Sequence, residues 1–83
     1  MLYNVFTEFF VKEIKVQIKP GEEYITLNIL LKIEGIIQTG GMAKAYLQEN
    51  VVLVNNEPDN RRGRKLYPGD IVIIENVKYL ITK

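Results

Sequence analysis

Apolar and polar residues change their spacing several times along the chain, and each change marks an expected element. Leu2, Val5, Phe6, Phe9 and Phe10 recur at helical intervals, which predicts a short amphipathic helix over residues 2–10. Its phenylalanines need a covering surface. That surface is either the core of the same domain or a second copy, in a homodimer contact through Phe6, Phe9 and Phe10. Residues 12–18 alternate instead: Ile14, Val16 and Ile18 point one way, and Glu13, Lys15 and Gln17 the other. Period-two alternation is a half-buried strand, and its charged outer face suits a sheet edge. Pro20 and Gly21 end it, because proline removes a ladder donor and glycine permits the turn.

Helical spacing then returns twice. Thr26 can cap a helix whose Leu27, Leu30 and Leu31 share one face while Asn28 and Lys32 look away, and Gly35 is placed to close it in the left-handed conformation. A second helix is expected from Thr39, Gly40 and Gly41 to about Asn50. Ala43, Tyr46, Leu47 and Asn50 form its apolar face, and Gly41, Lys44, Ala45 and Gln48 its smooth outer face. The remainder reads as β. Residues 51–54 are a continuous apolar run, consistent with a buried strand, followed by an Asn55-Asn56 turn and a polar loop over residues 58–63. Tyr67, Pro68, Gly69 and Asp70 have the order of a type II turn. Residues 71–74 and 79–82 are the last two strands, with the turn between them expected at Asn76-Val77.

Eighty-three residues make one domain with a thin core, and 47% hydrophobic with 25% charged residues is an ordinary globular balance. Cysteine and histidine are both absent. Disulfides, thiolate zinc sites and the commonest general base go with them. No paired carboxylates replace them, so no catalytic constellation can be assembled, and a non-enzymatic protein without cofactor or metal is expected. No apolar run is long enough to span a bilayer and no basic leader precedes the first apolar residues, which suits the cytoplasm. Net charge is only +1, but its distribution changes the picture: four of the eleven basic residues lie at Arg61, Arg62, Arg64 and Lys65.

A helix pair followed by Val52, Leu53, Val54, Asn55, Asn56 and Glu57, with Pro68, Gly69, Asp70, Ile71 and Val72 about a dozen residues on, resembles the S-four RNA-binding domain. This module is named after ribosomal small-subunit protein four. Residues 31–37, then Thr39, Gly40, Gly41, Ala43 and Lys44, then residues 61–66, look like its small stand-alone YaaA-like group. The match covers about residues 24–76. It implies an α+β fold of the alpha-L type, with two short helices packed on a small, mostly antiparallel sheet. The domain is expected over 24–83, preceded by an extension over 1–23 comprising the short helix and edge strand. Implied partners are structured ribosomal or transfer RNA. The sequence departs from the pattern in three places. Thr39-Gly40-Gly41 stands where many members carry Ser-Arg, and Asn50 and Asn56 stand where many carry glycine. Asparagine substitutes for glycine at positive φ.

Candidate RNA contacts follow. Arginine forks pair bidentately with phosphate, lysine adds a point charge, and Gly63 lets backbone approach a ligand, which nominates Arg61, Arg62, Arg64 and Lys65. The bland alternative is a solvated loop partly neutralised by Glu57 and Asp59. Thr39, Gly40 and Gly41 open a helix and offer N–H groups to phosphate, or else form a turn that merely needs glycine. Lys44 lies one turn inside, and Gln48 one turn further, where it either meets sugar and base edges or is simply solvated. Tyr46 falls on the core face, whereas Tyr67 suits either core or base stacking. Two other functions compete: a protein-interaction module using the N-terminal aromatics and the basic run, and a ubiquitin-like sulfur carrier. The latter needs a terminal Gly-Gly where this chain has Ile81, Thr82 and Lys83.

Overall fold

The computed structural model describes residues 12–83. The helix expected over residues 2–10, and the homodimer contact through Phe6, Phe9 and Phe10, lie outside them. Strand β1 (Lys12–Gln17) leads to a short β2 (Ile25–Thr26), helix α1 (Leu27–Ile33), a 3-10 turn (Gly40–Met42) and helix α2 (Ala43–Glu49). Five strands follow: β3 (Val52–Val54), β4 (Glu57–Pro58), β5 (Lys65–Leu66), β6 (Ile71–Ile74) and β7 (Val77–Thr82). The main sheet has the order β1-β7-β6-β3-β4, and β2 pairs with β5 as a separate ribbon. The alternation in residues 12–18 makes β1 an edge strand, with Val16 and Ile18 buried. It runs parallel to β7 in a register from Lys12 opposite Val77 to Gln17 opposite Thr82. All other pairings are antiparallel, so the α+β, mostly antiparallel architecture is present.

Leu27, Leu30 and Leu31 of α1 and Ala43 and Leu47 of α2 join Val52, Val54, Val72, Ile74, Tyr79 and Ile81 of the sheet in one buried cluster. The ends of α1 are set by local chemistry. Thr26 is extended, and its Oγ1 accepts from the Ile29 N–H at 3.3 Å. Gly35 at φ +73 lets the chain fold back, so that Ile36 N–H donates to Leu31 O at 2.9 Å. Replacing Thr26 with alanine should lower the stability of the fold by about 1 kcal/mol, the ordinary value of such a cap. Thr26→Ser should retain it, and urea unfolding followed by circular dichroism measures both.

Four expectations need correction. Asn28 does not look out to solvent: it is half-buried, and its Oδ1 is buried without a hydrogen-bond partner among the described residues. The second helix begins with a single 3-10 turn before its seven α-helical residues, and Thr39 makes no side-chain cap. Val51 is not in the buried strand; it is 74% exposed, and burial in β3 alternates because Leu53 reaches the other face. Asn50 is extended (φ −128) rather than left-handed, and its Nδ2 closes α2 by donating to Tyr46 O at 3.0 Å. Asn56, by contrast, takes φ +72 with Asn55 at +52, giving the two-residue hairpin that joins β3 to β4. The β6–β7 hairpin uses the same geometry one residue earlier than expected, at Glu75 (φ +49) and Asn76 (φ +66).

Candidate nucleic-acid interface

The basic loop is built into the fold at its middle and at its C-terminal end. At its C-terminal end, Lys65 pairs with Thr26 and the fully buried Leu66 with Ile25 in the β2–β5 ribbon. At its middle, two N–H groups of the first turn of α1 donate to loop carbonyls: Leu27 to Arg64 O and Asn28 to Arg62 O, both at 2.9 Å. A helix leaves these first N–H groups without partners inside the helix. Here Thr26 takes one and the loop takes two more, so the start of α1 fixes the course of the loop. A bond from Arg64 N–H to Arg61 O at 3.0 Å closes the turn between them.

Asp59 organises the charged side chains. Its side chain is 7% exposed, and its carboxylate accepts from Arg61 Nε at 3.1 Å, Arg61 N at 3.0 Å, an Arg61 terminal nitrogen at 2.8 Å and an Arg64 terminal nitrogen at 2.7 Å. The Arg61 side chain is the largest influence, and with the other donors it outweighs desolvation, holding the Asp59 carboxyl well below the usual carboxylate range. Asp59 does more than dilute the charge of the loop. It places two guanidinium groups, Arg61 at 68% side-chain exposure and Arg64 at 29%. No ion pair of Arg62 or Lys65 is found among the described residues. Lys65 instead lays its ammonium 4.9 Å from the centre of the Tyr24 ring, within the range of a cation–π contact.

Asn28 brings the two helices and the loop to one place. Its N–H holds Arg62 O, and its side chain lies against Gly40, where a Cβ would sit 3.3 Å from Nδ2. A Cβ at Gly40 would be in tight contact with the Asn28 amide, which would have to give by a few tenths of an ångström. One turn further, Lys44 and then Gln48 stand exposed along the outer face of α2. Gln48, Glu49 and Asn50 share a shallow depression of about 360 Å³ with Pro58, Asp59 and Asn60. Thus Asn28 links Gly40 to the loop backbone at Arg62, and Gln48 shares a depression with Asp59, while Thr39, Gly41 and Lys44 lie on the same turn and helix as Gly40 and Gln48. Tyr46 lies on the inner face as expected. Its hydroxyl bonds Glu75 in the β6–β7 turn and is pushed up, chiefly by burial and then by that carboxylate.

Sequence reasoning missed three contributors: Asp59 as a frame, Asn28 as a junction and Tyr24 as an aromatic neighbour. Only Asp59 left a signal, an acid two residues before an arginine in a polar loop. Tyr67 proves to be a surface residue, 44% exposed. Its turn is held by Asp70, whose Oδ2 accepts from Tyr67 N–H at 2.8 Å and whose Oδ1 accepts from Asn55 Nδ2 at 3.1 Å. Among the described residues no acidic, histidine or cysteine cluster could hold a metal ion, and no helix is long and apolar enough to cross a membrane.

The sequence is similar to those of known proteins. The model of the S4 domain family matches residues 12–82, which takes in β1, both helices and every strand of the sheet. A Bacillus subtilis (strain 168) protein named "Probable ribosome maturation protein RlbA" is 66% identical over 53 residues, or 64% of this chain and 75% of that protein. With its helix pair, its loop fixed to the start of α1 and a match along nearly all the described residues, the chain belongs to the S4 domain family of RNA-binding modules.

Proposed function

We propose that this protein binds structured ribosomal RNA in the cytoplasm, without catalysing a reaction, and that it acts during maturation of the ribosome. The observation that carries the reading is the fixed basic loop. Arg61 and Arg64 are set by Asp59, Arg62 extends from a backbone bonded to α1, and Lys65 extends from the β2–β5 ribbon. Such a surface recognises the spacing of phosphates before any contact is made. Lys44 adds a fifth cation, the backbone of Thr39, Gly40 and Gly41 adds N–H donors, and Gln48 adds an amide for sugar or base edges. The ribosomal setting is supported by the RlbA relative, whose matched segment spans most of both chains.

Phosphate contacts position a protein without reading sequence, so binding should follow RNA shape and respond steeply to salt. With about five cations on phosphate, log affinity should fall against log salt with a slope of roughly −3.5 to −4.5. Filter binding to a ribosomal RNA fragment across 50–300 mM salt measures it. A flat response would remove the electrostatic mechanism.

A further inference from the structure

We infer that the tyrosine pair beside the basic loop is a stacking site for one unpaired nucleotide, so that this surface prefers RNA with a splayed base over a continuous duplex. The inference rests on the RNA-binding reading above and adds to it a class of substrate. Tyr24 and Tyr67 are both at the surface, 36% and 44% exposed, with ring centres 5.6 Å apart and planes tilted by 54°. They come from distant parts of the sequence and are brought together by the β2–β5 ribbon, which puts Ile25 opposite Leu66. Lys65 stands over Tyr24 and so occupies a face of that ring. Tyr67 instead lines an open concavity of about 580 Å³ with Arg61, Gly63, Arg64, Lys65 and Asp70.

The lining of that concavity has the chemistry that a nucleotide needs. Arg61 and Lys65 offer cations for the phosphate, and Tyr67 offers a ring for the base. The Asp70 carboxylate in the same lining repels phosphate and so sets the direction in which a nucleotide enters. Gly63 adds no side chain, and a Cβ there would meet nothing of this chain within 4 Å, which leaves the floor open. Its volume lies within the roughly 300–1,000 Å³ usual for small-ligand sites. The platform is also rigid. Asp70 holds Tyr67 N–H at 2.8 Å, Gly69 N–H donates to Ile81 O at 2.8 Å, and Asn55 ties the turn to the neighbouring hairpin. These bonds fix the backbone that carries the ring, so only the side chain has freedom to lose on stacking. Recognition of loops, bulges and ends by splaying bases onto aromatic side chains is general for RNA.

The test compares two RNAs: a stem closed by an unpaired loop, and the same stem as a blunt duplex. The parent protein should prefer the first. Tyr67→Leu, which keeps apolar bulk but no ring, should bind the looped RNA roughly ten-fold more weakly, the usual order for one lost stacking contact, and the duplex within about two-fold of the parent. Tyr67→Phe should behave as the parent. The chain contains no tryptophan, so Tyr67→Trp gives a single fluorophore. Its emission should be quenched by the looped RNA and not by the duplex, a readout that stands even if Tyr67→Leu folds poorly. The inference is overturned if Tyr67→Leu binds the looped RNA as the parent does, loses both RNAs equally, or if the tryptophan is not quenched. If Arg62→Ala with Lys65→Ala weakens both RNAs while the Tyr67 variants weaken neither, RNA binding stands and the stacking site does not. A parent that binds neither RNA removes both.

Discussion

Replacing Arg61, Arg62, Arg64 and Lys65 together with alanine should abolish measurable RNA binding, a loss of roughly a hundred-fold or more. Across residues 57–65 the loop carries these four cations and two acids, Glu57 and Asp59, for a local charge of +2. The substitution reverses that to −2 and removes four of the five cations proposed to meet phosphate, leaving a salt slope of about −1 or less. The sequence suggests that all four side chains are solvent groups whose loss leaves the fold untouched. The structure changes that forecast, because the Arg64 side chain is only 29% exposed and the carboxylate side chain of Asp59 that it pairs with is 7% exposed. Stripping both arginines strands a carboxylate that has little access to water, at a cost of ~1–3 kcal/mol. A second variant therefore adds Asp59→Asn, which removes the stranded charge. Both should retain the circular dichroism of the parent, the second with the higher melting temperature, and neither should be held on a filter with RNA. A folded quadruple variant that binds as the parent does would mean that the loop is merely solvated.

How far the sequence could be read follows the range of the interactions. Thr26, Gly35, Asn56 and the Pro68-Gly69 turn were legible because a cap or turn is decided by the residue itself and its neighbours three or four positions away. The faces of both helices were legible too, since Leu27, Leu30, Leu31, Ala43 and Leu47 all bury as their spacing requires. What escaped was decided at long range. The parallel partner of β1 lies about 65 residues further along the chain, in β7. Glu75 takes a left-handed conformation that its side chain does not favour, because the two-residue connection between Ile74 and Val77 demands it. Asn50 reads as a glycine substitute, yet it serves through its side-chain amide. Within the site, the basic run announces itself by composition. The groups that give it shape (Asn28, Tyr24 and the shielded carboxylate of Asp59) do so only through contacts made in the folded chain.

Asp59→Ala should weaken RNA binding even though it makes the loop more positive. Two effects oppose each other. Removing one negative charge about 7 Å from a bound phosphate is worth ~0.6 kcal/mol in water, and salt screens part of that. Against it, Arg61 and Arg64 lose the carboxylate that fixes them, and each long side chain then has to be ordered on binding at ~0.5–1.5 kcal/mol. The ordering cost is the larger at physiological salt, so affinity should fall several-fold there, and the difference from the parent should narrow at low salt, where the added charge counts most. Stability should fall by about 2 kcal/mol, the scale of hydrogen bonds to a charged group lost from a shielded place. The pH dependence follows from the direction of the shift. The Asp59 carboxyl is held below its ordinary range when folded, so its contribution is complete above the unfolded value of ~3.9 and disappears as pH falls towards the folded one. Urea unfolding of parent and Asp59→Ala should therefore differ by a constant amount between pH 5 and 8, and converge only below about pH 4. A variant that binds RNA more tightly than the parent at 150 mM salt would mean that Asp59 restrains the loop's charge rather than framing its arginines.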